Sequence, residues 1–445
     1  SYTISGIENG TNYFFRVRAV NSAGQQGGYS SEVEVVPAFS GPVWWIATDG
    51  DNASEGSDNA PFNDILTALI AASSGDTIKV RPGTYMGDNN RDRYLSDKNL
   101  VIIGTEGPEV TIFDGEGWRH FNIYDGNTSE IIGVSFVNGW NESGGSINIG
   151  NNSAPVFRNV IFQNNHGQQG GAVNINRSAP KFYDCQFLDN SADYNEDDDW
   201  GGEGGAVNVG YTENPDPTEF IRCTFRNNRA WAKGRPATGG AVNSRVAISF
   251  INCLFVNNEA RMDDGDNNWV GGGALVVNPQ YYDASNDEWP GATAVIINCT
   301  IVGNRSIASG QNTSAYSGGI HVWGSDDARI IMFNNIIYGN RAEDDNPSDD
   351  WEGDHSVSVH TQFFIMKSDN NLVEYADYYK GSMNWGGSND FDAEPLFRDP
   401  GMGDFSLSSF SPAIEAGIME FEGFTAPSED INGKHRPLPP DSNPD

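Results

Sequence analysis

Base and histidine are scarce in this chain. Six histidines and 26 lysines and arginines stand against 61 aspartates and glutamates in 445 residues, a formal charge of −35. A surface of that sign repels phosphate backbones and anionic lipid headgroups, so nucleic acid and charged membrane surfaces are excluded as natural partners. It suits the capture of hard cations such as Ca²⁺, which want several carboxylate and carbonyl oxygens. Long apolar runs are missing as well: nothing approaches the roughly 18 consecutive apolar residues of a membrane-spanning helix, so no membrane insertion is expected. The chain also lacks the Gly-x-Ser-x-Gly elbow, His-Glu-x-x-His, a phosphate-binding P-loop and the dinucleotide Gly-x-Gly-x-x-Gly.

Cysteine is limited to Cys185, Cys223, Cys253 and Cys299, with no Cys-x-x-Cys pair, which removes the usual zinc and thioredoxin spacings. Each lies in nearly the same phrase: FYDCQF, FIRCTF, FINCLF, IINCTI. One phrase at one place in a repeat implies one structural column, and buried free thiols are expected. Rung-to-rung disulfides are disfavoured because the Cβ vectors of in-register parallel neighbours point the same way.

What is abundant is glycine, 52 residues of it, and it recurs with a period. Gly-Gly before an alternating strand occurs at GGSINIG (144), GGAVNIN (170), GGAVNVG (204), GGAVNSR (239), GGALVVN (272) and GGIHVWG (318). A second phrase follows each: NVIFQNN, DCQFLDN, RCTFRNN, NCLFVNN, NCTIVGN, NNIIYGN. Self-similarity at this period is the mark of a solenoid, in which each position stacks on its equivalent about 4.8 Å away. Alternation then assigns Ile147, Val173, Val207, Val242 and Leu275 to a core column, with His321 at its end. Phe162, Phe187, Phe225 and Phe255 form another. The polar column Asn148, Asn174, Asn208, Asn243 faces outward or caps a turn, either as a stabilising amide ladder or as a grip for sugar hydroxyls.

Between each Asn-Asn turn and the next Gly-Gly lie 4, 13, 10, 13 and 13 residues, so growth always occurs at one corner of the coil. Trp200, Trp231 and Trp269 fall in these insertions and Trp351 in the next, among acidic runs. Stacked corners would place the loops along one lateral ridge or cleft. Aromatic faces beside carboxylates suit pyranose stacking, although a tryptophan can also pin a long loop to the solenoid. Asp197, Asp198, Asp199, Asp263, Asp264, Asp266, Asp349 and Asp350 would gather on the same edge, where like charges crowd unless Ca²⁺ intervenes.

The segment FNDILTALIAA (62–72) is the one convincing amphipathic helix, with Asp64, Asn63 and Ser57 as caps. With the strands GDTIKVRPGTY and KNLVIIGTEG after it, it resembles the opening of right-handed parallel β-helix proteins of the pectin-lyase-like type, where such a helix plugs the end of the core. The segments DPGMGDFSLSSFSPAIEAG and DINGKHRPLPPDSNPD resemble the closing part of choice-of-anchor Q domains, found commonly in secreted or surface-attached bacterial proteins. Ahead of this, ENGTNYFFRVRAVNSAG with Tyr13 at the corner position resembles the last strands of a fibronectin type III domain, usually a spacer.

The expected organisation is therefore a partial β-sandwich module (1–38), a linker (39–42) and a β-helix (43–445) in an all-β chain, itself a piece of a longer multidomain protein. The resemblance implies a fold that hosts pectate and alginate lyases, polygalacturonases and pectin methylesterases. Their catalytic phrases are not present, and Arg177, Lys181 and Lys367 are the sparse basic candidates for a lyase base. The function expected is a secreted or cell-surface module that binds an extracellular polysaccharide or cell-surface glycan, or mediates adhesion, with Ca²⁺. A polysaccharide lyase or glycoside hydrolase, and a structural spacer or fibre, are the alternatives.

Overall fold

The short strands wind into a right-handed parallel β-helix. The computed structural model describes residues 12–22, 24–35, 41–194, 201–212, 216–280, 288, 290–322, 327–344, 357–359, 365–374 and 389–436. Among these, three parallel sheets form the walls. The first runs from Val43–Ile46 to Ile365–Asp369, the second from Gly83–Tyr85 to Leu372–Val373, and the third from Arg93–Leu95 to Val357–Val359.

Register is held from coil to coil. Ile147, Val173, Val207, Val242 and Leu275 are Cα partners in succession and are fully buried. The predicted phenylalanine column stacks face to face, with centroids 4.9, 4.7 and 4.6 Å apart from Phe162 through Phe255. A second column, Phe157, Phe182, Phe220 and Phe250, meets it edge-on. The four cysteines lie buried and free in adjacent rungs, as expected, and burial pushes the Cys223 and Cys299 thiols up.

The Asn-Asn phrases divide their labour. The first residue of each, such as Asn164, Asn227 or Asn257, takes the left-handed conformation that turns the corner. The second is buried and bonds to its equivalent one rung on: Asn165 to Asn190, Asn190 to Asn228, Asn228 to Asn258, Asn258 to Asn304, Asn304 to Asn340, at 2.8–3.0 Å between Nδ2 and Oδ1. A corner inside a solenoid cannot reach water, so this ladder satisfies its backbone.

The helix spans Ile65–Ala71, capped by Asp64, whose side chain accepts from the Thr67 N–H. Ile65, Ala68 and Leu69 close the apolar core. At the N-terminal side, Tyr13–Phe15 pairs antiparallel with Val33–Val35 and Arg18–Val20 with Gln26–Tyr29.

Two expectations need correction. His321 is not in the core column. Its Cα partner is Val276, and through it the asparagine column, while Ile320 continues the core from Leu275. The preceding Gly-Gly is displaced by one residue: Gly318 packs where Gly273 does, and Ser317 stands in place of the leading glycine.

The insertions, read as loops, are strands. Six stack into a parallel outgoing sheet, from His166–Gly167 to Arg341–Asp344, and Ala237–Thr238, Trp269–Gly271 and Ser314–Ala315 form a returning sheet. The two face each other through small apolar side chains, with Ala260, Met262, Ala308, Val270 and Ala315 in one cluster. The result is a fin. Its neck explains the glycines: a Cβ on Gly205 would lie 2.0 Å from the Gly240 carbonyl oxygen and 2.5 Å from the Arg229 carbonyl carbon. Chain leaving the coil and chain returning to it touch backbone to backbone, and only glycine allows that.

A C-terminal strap runs back along the outside of the coil. Its backbone is gripped by corner asparagines: Asn370, Asn334 and Asn252 donate to the carbonyls of Ala416, Ile418 and Glu429, and Asn334 also accepts from the Ile418 N–H. Ile418, Phe421, Phe424 and Ala426 pack on Val295, Ile297, Ile331 and Phe333 of the first wall.

Candidate functional site

The outward face of the third wall carries the polar column. Here Asn243 donates to Asn208, Asn208 to Asn174, Asn174 to Asn148 and Asn148 to the Tyr124 hydroxyl, at 2.9, 3.0, 3.1 and 2.6 Å. Asn174, Asn208 and Asn243 are buried and spend their amides on one another. The fin explains part of this cover. Trp269 alternates with Val270 and so leaves the returning sheet on the side away from the fin interior, where its ring meets His321 at 5.5 Å and Tyr316 at 5.9 Å. One coil region lower, Glu203 before the strand is held by Arg245 beyond the next strand, an ion pair that crosses the same floor. Burial pushes the Glu203 carboxyl up, and the Arg245 guanidinium opposes that.

Trp231 stands on the outer face of the outgoing sheet, beside Asp193 and Arg261 in register, its Nε1 donating to Asp263 at 2.8 Å. Trp231 and Trp269 are thus on opposite sides of the fin and share no groove. Trp200 and Trp351 lie outside the described residues, as do Asp197, Asp198, Asp199, Asp349 and Asp350. Asp263 is engaged by Arg261 and Trp231; Asp264 has Lys233 at 3.9 Å; Asp266 is exposed. Among the described residues no three acidic, histidine or cysteine side chains converge as a metal site. The basic candidates are dispersed: Arg177 stacks on Tyr211, Lys181 pairs with Glu219 at 3.0 Å, and Lys367 lies 4.0 Å from Glu422 on the first wall.

The first coils differ because they have no fin. There the third-wall face is open, and large aromatic rings stand exposed on it and at its corner: Tyr94 at 62%, Trp118 at 57% and Trp140 at 47% of their surface. One buried arginine is tied to the segments that carry them. Arg119, only 9% exposed, follows Trp118 and donates to Oδ1 of Asn141, next to Trp140. It donates also to Asn122 Oδ1 (2.6 Å) and to the carbonyls of Ser143 (2.6 Å) and Gly144 (3.1 Å). Tyr94 is the register partner of Asn122 and so shares its face; Tyr124, two residues on, shares it too. Arg91 lies over the Trp118 ring at 5.7 Å, and Trp140 bridges to His166, the first residue of the fin. The arrangement is a platform of rings and amides that runs into the shelter of the fin. Sequence reasoning missed Trp118 and Trp140. The signal was the short corner: with no insertion to pack on, a tryptophan there must face solvent.

No family model matches the chain, and no curated protein is similar to it. Among solved structures, pectate lyase Pel9A is similar over 89% of this chain and 96% of its own at 15% identity, with a TM-score of 0.41. A rhamnogalacturonan lyase is similar over 89% and 95% at 14% identity with a TM-score of 0.36. A pectin methylesterase from Aspergillus niger is similar over 80% and 92% at 12% identity with a TM-score of 0.29.

Proposed function

We propose that this is an extracellular, secreted or surface-held β-helix whose platform binds carbohydrate. The observation that carries the reading is the grouping of Tyr94, Trp118 and Trp140 as exposed rings around amides on a rigid parallel sheet. Flat apolar rings beside fixed hydrogen-bonding groups match a pyranose, which has an apolar C–H face and a rim of hydroxyls. A glycan array on the full chain tests it, followed by titration of the best ligand. Trp118→Ala and Trp140→Ala are expected to weaken binding about tenfold each, the scale of one aromatic contact. Trp231→Ala is expected to leave it unchanged. Equal losses in all three variants would refute the platform.

Calcium belongs to this reading through the acid-rich fin tips, where Asp264 and Asp266 adjoin solvent. Chelator is expected to lower the melting temperature, and an unchanged melt in chelator removes the ion from the reading. Catalysis is the second reading, favoured by Glu203: a buried carboxyl pushed up by its surroundings suits acid–base work. Depolymerisation of the bound glycan that disappears in Glu203→Gln, with binding retained, would establish it.

A further inference from the structure

Four thiols stand in file inside the coil, unused by the carbohydrate platform. Cys185, Cys223, Cys253 and Cys299 are buried, free and one rung apart. Their backbones keep one register: the carbonyls of Cys185, Cys223 and Cys253 accept, each at 2.9 Å, from the N–H of Thr224, Leu254 and Thr300, one residue beyond the next cysteine. Their sulfurs keep one orientation. Each Sγ lies 3.3–3.6 Å from two carbonyls, that of the residue two places before it and that of a phenylalanine one rung back.

A side chain that repeats its contacts is carried forward by the rung spacing itself. That spacing is visible on both sides of the column. Around Cys185 and Cys223, Phe182 and Phe220 stack at 4.8 Å and Phe187 and Phe225 at 4.7 Å. Around Cys223 and Cys253 the ring stacks are 5.2 and 4.6 Å. The sulfurs therefore follow one another at about 4.8 Å, the distance between strands. That is too far for a disulfide bond. It is the right distance for an ion between them: a metal–thiolate bond is about 2.3 Å long, so two thiolates in line across one ion span about 4.6 Å. Zinc needs four ligands around one point, and among the described residues no three cysteine, histidine or acidic side chains converge. A soft ion that is content with two ligands in line needs only a neighbouring pair. Charge selects among such ions. The file is walled by apolar side chains, where a net charge is costly, and a dication is what leaves two thiolates neutral.

We propose that adjacent pairs of this column, Cys185 with Cys223 and Cys253 with Cys299, form linear two-thiolate sites for a soft divalent ion of the mercuric type. Binding is an exchange: two S–H bonds break, two S–Hg bonds form, and two protons leave to water. Burial holds the Cys223 and Cys299 thiols protonated, so uptake strengthens as pH rises. The bare ion enters as the rungs open locally, through gaps that exclude a bulky thiol reagent.

Mercuric chloride titrated into the native full chain, with bound ions counted by native mass spectrometry, tests the sites. Wild type is expected to take two ions and to melt at a higher temperature when loaded. Two double variants, each left with two thiols, separate spacing from thiol number. Cys185→Ala/Cys299→Ala keeps the neighbours Cys223 and Cys253 and is expected to take one ion. Cys223→Ala/Cys299→Ala keeps Cys185 and Cys253, two rungs apart, and is expected to bind about a hundredfold more weakly for want of a second, preplaced ligand. The difference should vanish in urea, where either pair can close on the ion. Equal affinity in the two native doubles, or a native wild type that takes up no mercury, overturns the sites. Should either double fail to fold, X-ray absorption of mercury-loaded wild type decides the matter: two sulfur neighbours per ion are expected, and one, three or four overturn the linear pair.

Discussion

Replacing Asn228 by alanine tests whether the corner ladder carries the stability assigned to it. The Asn228 carboxamide is fully buried and makes four contacts: Nδ2 to the Phe187 carbonyl (2.9 Å) and to Asn258 Oδ1 (2.9 Å), and Oδ1 from the Asn190 amide (3.1 Å) and from Asn190 Nδ2 (3.0 Å). Asn190 Nδ2 keeps the Phe162 carbonyl after the change, and Asn258 Oδ1 keeps the Asn228 backbone N–H. The Phe187 carbonyl keeps its place in the parallel ladder opposite Arg226, and one backbone group does not recover, the Asn190 N–H. An unpaired buried group costs about 1–3 kcal/mol, so the loss should be on the order of 2 kcal/mol. The neighbouring Asn227 is the control, since its side chain lies outside the ladder and its φ of 55° suits glycine; Asn227→Gly should change stability by under about 1 kcal/mol. Urea unfolding gives the sum, and hydrogen exchange localises it, with the Asn190 amide and adjacent strand amides exchanging faster. A loss below about 1 kcal/mol in Asn228→Ala, or one equal to that of Asn227→Gly, would show that the ladder is decoration.

At the neck, Gly205→Ala places a methyl group 2.0 Å from the Gly240 carbonyl oxygen, and soluble yield or melting temperature is expected to collapse. Gly234→Ala, with no atom nearer than 3.8 Å at its φ of 72°, should cost only about 1 kcal/mol of backbone strain. His120 provides a pH test: burial pulls its folded pKa down to about 4, with the ring bound to the Phe113 carbonyl and Ser146. The unfolded state takes up its proton near pH 6.5 and the folded state only near 4. Stability from this group is therefore full above 6.5 and lost as pH falls toward 4, by about 3 kcal/mol at 1.36 kcal/mol per unit. That slope should disappear in His120→Gln, and a slope retained there contradicts the assignment. Thiol titration should find four free thiols in denatured, unreduced protein and almost none in native protein.

The coil was legible in the sequence because a stacked column repeats its residue type. Phe162 to Phe255, Cys185 to Cys299 and the Asn-Asn corners all occupy the places that alternation and phrase spacing gave them. Register failed where the anchor itself changed: Ser317 took the place of a leading glycine, so counting from Gly-Gly put His321 one residue out. The fin was hidden for a different reason. Its interior is alanine, in Ala230, Ala232, Ala260 and Ala308, too small to register as a strand's apolar face against the acidic runs alongside. The platform is illegible from insertion length, because exposure of the rings goes with the short corners that hold Trp118 and Trp140. The strap could not be foreseen. Its partners are corner asparagines 46 to 177 residues away, and an asparagine waiting for a backbone looks like any other turn residue.

The glycine neck has a bearing on how such a surface can diversify. Because the outgoing and returning chains already touch at Gly205 and its equivalents, whatever lies beyond them is a detour that begins and ends at one point. Closing a longer detour costs little more than closing a short one, about 0.6 kcal/mol for each doubling of length. Residues can therefore be added or removed past the neck with the coil's register untouched, and neighbouring detours that agree in pattern will zip together as strands. The opposite corner has no such freedom, since it is clasped by the strap from Asn252 to Asn370. The neck thus marks a flank open to variation, where foreign segments could be grafted between Lys233 and Ala237 while the rest of the solenoid stays as it is.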